Sequence, residues 1–160
     1  MANAETWDSY EPTLLKILDK FKIRRVLEYG SGKSTYTFMD RVESVDSVEH
    51  DARWYDKVKD FKDKDVNVIY QPDLNIYPYS QGRFDEYDLI FIDGRERAKC
   101  LHLAHDLLSE DGIVVLHDAQ RQRYMQGIIP YRYCIFTDKG CTAVLTNSKK
   151  IEKRLKGMFE

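Results

Sequence analysis

Disulfide chemistry is the first thing this sequence lacks. Cys100, Cys134 and Cys141 form no C-x-x-C pair and leave an odd count among 160 residues. Reduced thiols are expected rather than a disulfide frame, as suits a cytoplasmic protein. An excess of one charge is lacking too. Lys and Arg number 25 against 27 Asp and Glu, a formal net charge of −2. No global field then draws the chain to nucleic acid or a membrane, and neither is an expected partner. No apolar run approaches the ~18 residues of a membrane-spanning helix. Met1 to Ser9 lack the charged-then-apolar layout of a secretory leader. What remains is a globular composition, 42% hydrophobic and 32% charged, able to bury one core. One domain is expected over residues 1–160, with a core from about 11 to 147 and a basic tail over 148–160.

Hydrophobic periodicity divides the chain into alternating helices and strands. Pro12 to Phe21 places Leu14, Leu15, Ile17, Leu18 and Phe21 on one helical stripe, with Pro12 tolerated in the first turn. Arg24 to Tyr29 reads as a strand, followed by a glycine turn and a helix from about Ser34 to Arg41. Val45 to Glu49 is a second strand. Ala52 to Lys62 is helical, with Trp54 and Tyr55 expected to pack on the sheet, and Val66 to Tyr70 is a third strand. Gln71 to Arg83, with Pro72, Pro78 and Gly82, is the longest expected loop. Tyr87 to Asp93 is a buried strand, Arg97 to Leu108 a helix, Asp111-Gly112 a turn, and Ile113 to Leu116 another buried strand. After a short helical stretch near Gln120 to Gly127, Tyr131 to Thr137 and Cys141 to Thr146 alternate around Asp138-Lys139-Gly140, a hairpin signal. Strands alternating with helices and closed by a hairpin give a mostly parallel sheet with an antiparallel end.

The glycine turn follows the first strand: Val26-Leu27-Glu28-Tyr29-Gly30-Ser31-Gly32-Lys33-Ser34-Thr35. Gly32-Lys33-Ser34 fits the end of a phosphate-cradling P-loop, G-x-x-x-x-G-K-[ST]. The first glycine of that pattern would fall on Leu27, and Glu28 would repel the phosphates inside the loop. Glu28-Tyr29-Gly30-Ser31-Gly32 also fits the acidic-x-Gly-x-Gly loop of Rossmann-like methyltransferases, where a cationic amino-acid group is bound. A glycine turn without a ligand stays open at this point.

In an open α/β sheet, ligands bind beyond the carboxyl ends of the strands. Those ends carry Glu28-Tyr29-Gly30, Glu49-His50-Asp51, Pro72-Asp73, Asp93-Gly94 and His117-Asp118. Glu49 stands 21 positions after Glu28, the spacing at which a carboxylate takes a ribose diol in dinucleotide-binding folds.

Together with Leu107-Leu108-Ser109-Glu110-Asp111-Gly112-Ile113-Val114-Val115, these segments resemble the class I S-adenosylmethionine-dependent methyltransferases from about Glu11 to Asn147. The resemblance implies a Rossmann-like three-layer α/β/α sandwich: a mostly parallel seven-stranded sheet closed by an antiparallel C-terminal hairpin. It implies S-adenosylmethionine as cofactor, with Glu28, Gly30, Ser31, Gly32, Ser34 and Thr35 around its methionine end. Glu49 and His50 would be at the ribose, and Asp73 near the adenine. Asp93 would border both cofactor and acceptor. Ser34 replaces the third glycine, and the chain has no room for large substrate-recognition insertions.

Asp93, His117 and Asp118 are the expected catalytic residues, positioning or deprotonating an acceptor. Asp93 and Asp118 also match two metal positions of catechol-type O-methyltransferases. The third ligand there is an amide, and Ala119 stands in its place, so a divalent metal has a poor ligand set. The run Leu116-His117-Asp118-Ala119 is more distantly similar to a His-Asp signature of plant polysaccharide O-methyltransferases acting on uronic acids. Arg95, Arg97, Arg121 and Arg123 would form a cationic rim suited to the carboxylate or phosphate of a small-molecule acceptor, with solvated surface arginines as the plain alternative. No Asn/Asp-Pro-Pro-Tyr amine-methylating motif follows Asp93, which favours oxygen as the atom methylated. His102 and His105 read as a half-exposed helix face. Lys149, Lys150, Lys153, Arg154 and Lys156 form the solvated side of a tail whose Ile151, Leu155 and Phe159 dock on the body, on a second copy or on a partner protein. The expected function is methyl transfer to oxygen. An accessory protein that binds cofactor without turnover and a P-loop-type hydrolase are the alternatives.

Overall fold

The computed structural model describes residues 9–60, 65–80 and 82–160. Its elements, in chain order, are α1 (Glu11–Lys20), β1 (Arg25–Tyr29), α2 (Lys33–Met39), β2 (Ser44–Glu49), α3 (Ala52–Val58), β3 (Val66–Tyr70), β4 (Tyr87–Ile92), α4 (Arg97–Leu107), β5 (Leu108–His117), α5 (Met125–Ile128), β6 (Tyr133–Thr137), β7 (Thr142–Thr146) and α6 (Lys149–Phe159). The seven strands form one sheet in the order β3-β2-β1-β4-β5-β7-β6. β1 to β5 pair in parallel, and β7 runs antiparallel to both β5 and β6.

Alternate side chains of the central strands build two cores, one on each face. Val26, Val45, Leu89, Phe91, Val115 and Val144 meet α1, α2 and α6. Leu27, Val48, Ile90, Ile92, Val114 and Leu145 meet α4 and α5. This is the three-layer sandwich expected from the sequence. The basic segment from residue 148 is α6, and its Ile151 and Leu155 are buried in the first core. Ser148 caps that helix by accepting from the Ile151 N–H.

Three local expectations change. Asp111-Gly112 is not a free turn: β5 begins at Leu108 and runs through it, with a register shift against β4 between Tyr87 and Leu89. Helix α3 stops at Val58, its buried residue, and Phe61 and Lys62 lie outside the described residues. Trp54 does not pack on the sheet. Helical spacing carries it to the open side, 45% exposed, while Tyr55 stacks on Tyr70 with ring centroids 5.1 Å apart. Among the described residues no helix is long and apolar enough to cross a membrane.

Candidate functional site

The turn after β1 is held from two sides by carboxylates. Glu28 shares the sheet face of Val26, so its side chain points under α2 and is fully buried. There it accepts from the hydroxyls of Ser34, Thr35 (2.5 Å) and Ser47 (2.7 Å). Burial pushes its carboxyl up to about 7, partly offset by those three hydrogen bonds, with Asp93 adding to the rise. From the other side Glu49 accepts the Ser31 N–H at 2.7 Å and the His50 and Asp51 N–H groups at 2.8 Å. His50 Nδ1 lies 3.1 Å from Glu49 Oε1.

Glycine is required in the turn for two different reasons. Gly30 has φ +98°, and a Cβ there would lie 2.9 Å from Gly94 Cα, so β1 and β4 touch back to back at these two glycines. Gly32 is neither strained nor crowded. Its φ of 166° is ordinary extended backbone, and a Cβ would meet only the Trp54 ring, at 3.9 Å. What glycine provides at 32 is clearance toward the cavity that Gly32 and Trp54 both line.

At the ends of β4 and β5, the Asp93 carboxylate accepts from His117 Nδ1 at 2.8 Å, while Nε2 lies 3.2 Å from Ser9 Oγ. Tyr10 packs edge-on against the same imidazole. Burial works against a charged imidazole, but the Asp93 hydrogen bond and the Asp93 and Asp118 charges outweigh it and raise the His117 pKa, with Arg97 opposing. Arg97 binds three backbone carbonyls, those of Gly94, His117 and Asp93. It also bridges Asp93 Oδ1 (3.4 Å) and Asp118 Oδ2 (3.3 Å). It ties two strand ends together rather than reaching for substrate.

These elements surround an open cavity of about 700 Å³. Toward the glycine turn it is bordered by Ser31, Gly32, Glu49, His50, Trp54 and Leu74. Across Gly94 the border turns cationic, with Arg95, Lys99, Arg121 and Arg123 beside Tyr124 and Gln126. Lys99 is paired with Glu96 and Arg121 with Asp118. Arg95 Nε donates to His50 Nε2, and Arg123 lies over Tyr124 and donates to its hydroxyl. These two guanidinium groups therefore keep charge to offer an anion.

No family model matches the chain, and no curated protein sequence matches it. Solved structures do. A methyltransferase-like protein from Silicibacter pomeroyi is 20% identical at a TM-score of 0.67, covering 98% of this chain and 93% of its own. A TehB-like SAM-dependent methyltransferase from Corynebacterium glutamicum is 16% identical at 0.62, covering 91% and 96%. Spermidine synthase from Thermotoga maritima is 14% identical at 0.61. It covers 95% of this chain, which spans only 64% of the synthase. The fold is that of the class I methyltransferases.

Within the methyltransferase fold, the expected site residues separate into those at the cavity and those beneath it. Gly30, Ser31, Gly32, Ser34, Glu49, His50, Asp93 and all four arginines line the cavity. Glu28 and Thr35 do not; they lie under the turn, so the expectation that the Glu28 carboxylate contacts a ligand is corrected. Asp73 is exposed and accepts the Asn75 N–H at 2.9 Å, capping its own turn, while Leu74 beside it borders the cavity. His117 and Asp118 stand behind Asp93 and off the lining. A divalent metal on Asp93 and Asp118 is not supported, because the Arg97 guanidinium lies between the two carboxylates where a cation would have to bind. Among the described residues no group of three or more His, Cys, Asp or Glu could hold a metal ion.

Trp54, Leu74, Tyr10 and Tyr124 are lining residues the sequence reading missed. Trp54 had a usable signal, since it falls in the first turn of the helix that follows the Glu49 strand end. Tyr10, which precedes α1, had none.

Proposed function

We propose that the chain is an S-adenosylmethionine-dependent methyltransferase acting on an oxygen of a small anionic acceptor of the uronic-acid or phosphorylated-sugar kind. The observation that carries this reading is the divided cavity. One half is a glycine turn with a clearance at Gly32, the Glu49 carboxylate and the Trp54 ring. The other half is rimmed by Arg95, Arg121 and Arg123.

The bound sulfonium would supply an activated methyl and its own leaving group. The chain then has to hold, align and deprotonate. Glu49 suits a ribose diol, Ser31 and Gly32 the methionine end. Arg95 and Arg123 suit the acceptor's anionic group, and Asp93, between the halves, suits its hydroxyl. His117, donating to Asp93 Oδ1, fixes the direction of that carboxylate.

Calorimetry with S-adenosylmethionine, S-adenosylhomocysteine and ATP plus magnesium tests the reading. Binding of the sulfonium and thioether nucleosides is expected; binding of ATP alone overturns it. With labelled cofactor, methyl transfer to glucuronic acid or a sugar phosphate is expected to need Arg95 and Arg123, their alanine variants raising KM. A second reading, cofactor binding without turnover, draws on one observation: of Asp93, His117 and Asp118, only Asp93 lines the cavity. Tight cofactor binding without transfer to any acceptor in a broad panel would favour it.

A further inference from the structure

The Ser31 hydroxyl at the cavity is joined to buried Glu28 by hydrogen bonds whose directions one charge fixes. An ionised carboxylate only accepts. Ser34, Thr35 and Ser47 therefore each turn their single hydroxyl hydrogen inward to Glu28. Having given its hydrogen away, Ser47 can only accept from Ser31, whose Oγ lies 2.5 Å from its own. Ser31 is left presenting lone pairs, not a hydrogen, to the cavity it lines. By the same logic Thr35 keeps a lone pair for the Gly32 N–H at 3.0 Å.

Resting on the reading of the cavity as a sulfonium-cofactor site, we propose that Glu28 is a positioning residue that acts on the cofactor's ammonium end at one remove, setting the polarity of Ser31 through Ser47. With Glu28 ionised, Ser31 Oγ accepts from an ammonium group. With Glu28 protonated, the carboxyl must donate one hydrogen bond. When it donates to Ser47, that hydroxyl turns its hydrogen to Ser31. Ser31 then turns its own hydrogen toward the cavity, where it opposes a cation. Hydroxyl rotations alone carry the change.

The groups facing Glu28 are the Ser34 and Thr35 hydroxyls from α2, the Ser47 hydroxyl from β2 and the Asp93 carboxylate at the end of β4. Burial and Asp93 hold the carboxyl near neutrality, at about 7, so the relay switches within the range where S-adenosylhomocysteine keeps its ammonium charge.

Calorimetric titration of the whole chain between about pH 5.5 and 8 reads the relay through two probes. One is S-adenosylhomocysteine; the other is 5′-methylthioadenosine, which lacks the amino-acid end. Affinity for S-adenosylhomocysteine is expected to rise about tenfold over that range, the worth of one hydrogen bond to a charged group. Affinity for 5′-methylthioadenosine should stay flat. Glu28→Gln, whose amide always donates, should hold S-adenosylhomocysteine at the weak level throughout. Ser47→Ala cuts the chain and should flatten the profile, while retained 5′-methylthioadenosine binding reports a folded cavity. A flat wild-type profile overturns the relay. So does a Ser47→Ala profile that keeps its slope, since the titrating group then lies elsewhere. Failure of both nucleosides to bind overturns the cofactor reading beneath it.

Discussion

Toward the amino ends of the strands Asp46 meets the Arg83 guanidinium, whereas one strand away Glu28 accepts hydrogen bonds from three hydroxyls. Both acids are fully buried, on neighbouring strands and opposite faces of the sheet. Asp46 accepts from Arg83 Nε at 2.6 Å, from the Arg83 N–H at 2.7 Å and from the Tyr87 hydroxyl at 2.6 Å. Arg83 goes on to Asp65, so one guanidinium locks the segment before β4 onto β2 and the start of β3. That end is finished with charge against charge. Among the described residues no cation pairs with Glu28, and burial holds its carboxyl near neutrality, at about 7. An ion pair ties the amino end of the sheet, and a titratable acid lies under the turn that borders the cavity.

Removing Asp46 should break this contrast at its rigid side. Asp46→Ala leaves Arg83 and the Tyr87 hydroxyl without their buried acceptor and should cost about 3 kcal/mol, read by urea unfolding. At the other side the wild type should lose about 3 kcal/mol as pH rises from 4.5 to 7. The folded Glu28 holds its proton to about pH 7, while the unfolded group releases it from its ordinary 4.5. Over that window the folded state binds more protons, so stability falls with rising pH. Glu28→Gln should flatten the slope. His117, whose pKa is raised, adds stability below its ordinary 6.5 and loses it above. Asp51, Asp65 and Asp111, held low by their hydrogen bonds, add stability as pH rises through their ordinary 3.8, so the slope between about pH 5 and 6 reports mainly Glu28. A wild type as stable at pH 7 as at 5 would remove the distinction between the two acids.

The glycines extend the comparison with smaller effects. Gly30→Ala should cost about 2 kcal/mol of stability, because an alanine would sit at positive φ against Gly94. Gly32→Ala should change stability by less than about 0.5 kcal/mol, and still weaken S-adenosylhomocysteine binding measurably by calorimetry. Equal losses of affinity and stability at Gly32 would mean that its glycine serves the backbone and not a ligand.

The sheet was legible because Leu89 to Ile92 and Ile113 to Leu116 are apolar on both faces, as buried parallel strands require. The strand ends then followed, and with them Glu49, Asp93 and the glycine turn. Which way a polar side chain turns was not legible. Glu28 and Glu49 look alike as acids near strand ends, yet Glu28 shares the Val26 face and lies under α2. Ser34, Thr35 and Ser47 were the clue, three hydroxyl residues within its reach. Arg97 looked like its neighbours Arg95 and Arg121 because nothing in linear order distinguishes a guanidinium aimed at backbone carbonyls from one left in solvent.

Gly94 constrains how this chain can drift. A side chain there would put its Cβ 2.0 Å from the Tyr77 hydroxyl and 3.1 Å from the Gly30 nitrogen. Gly30 in turn faces Gly94, and the buried Tyr77 rests against Tyr29 at the end of the same strand. Three positions spread over more than 60 residues, 30, 77 and 94, therefore meet at one point behind the turn. Gly94 can gain a side chain only where the Tyr77 hydroxyl is removed, while Gly30 stays bound to glycine by its own φ of +98°.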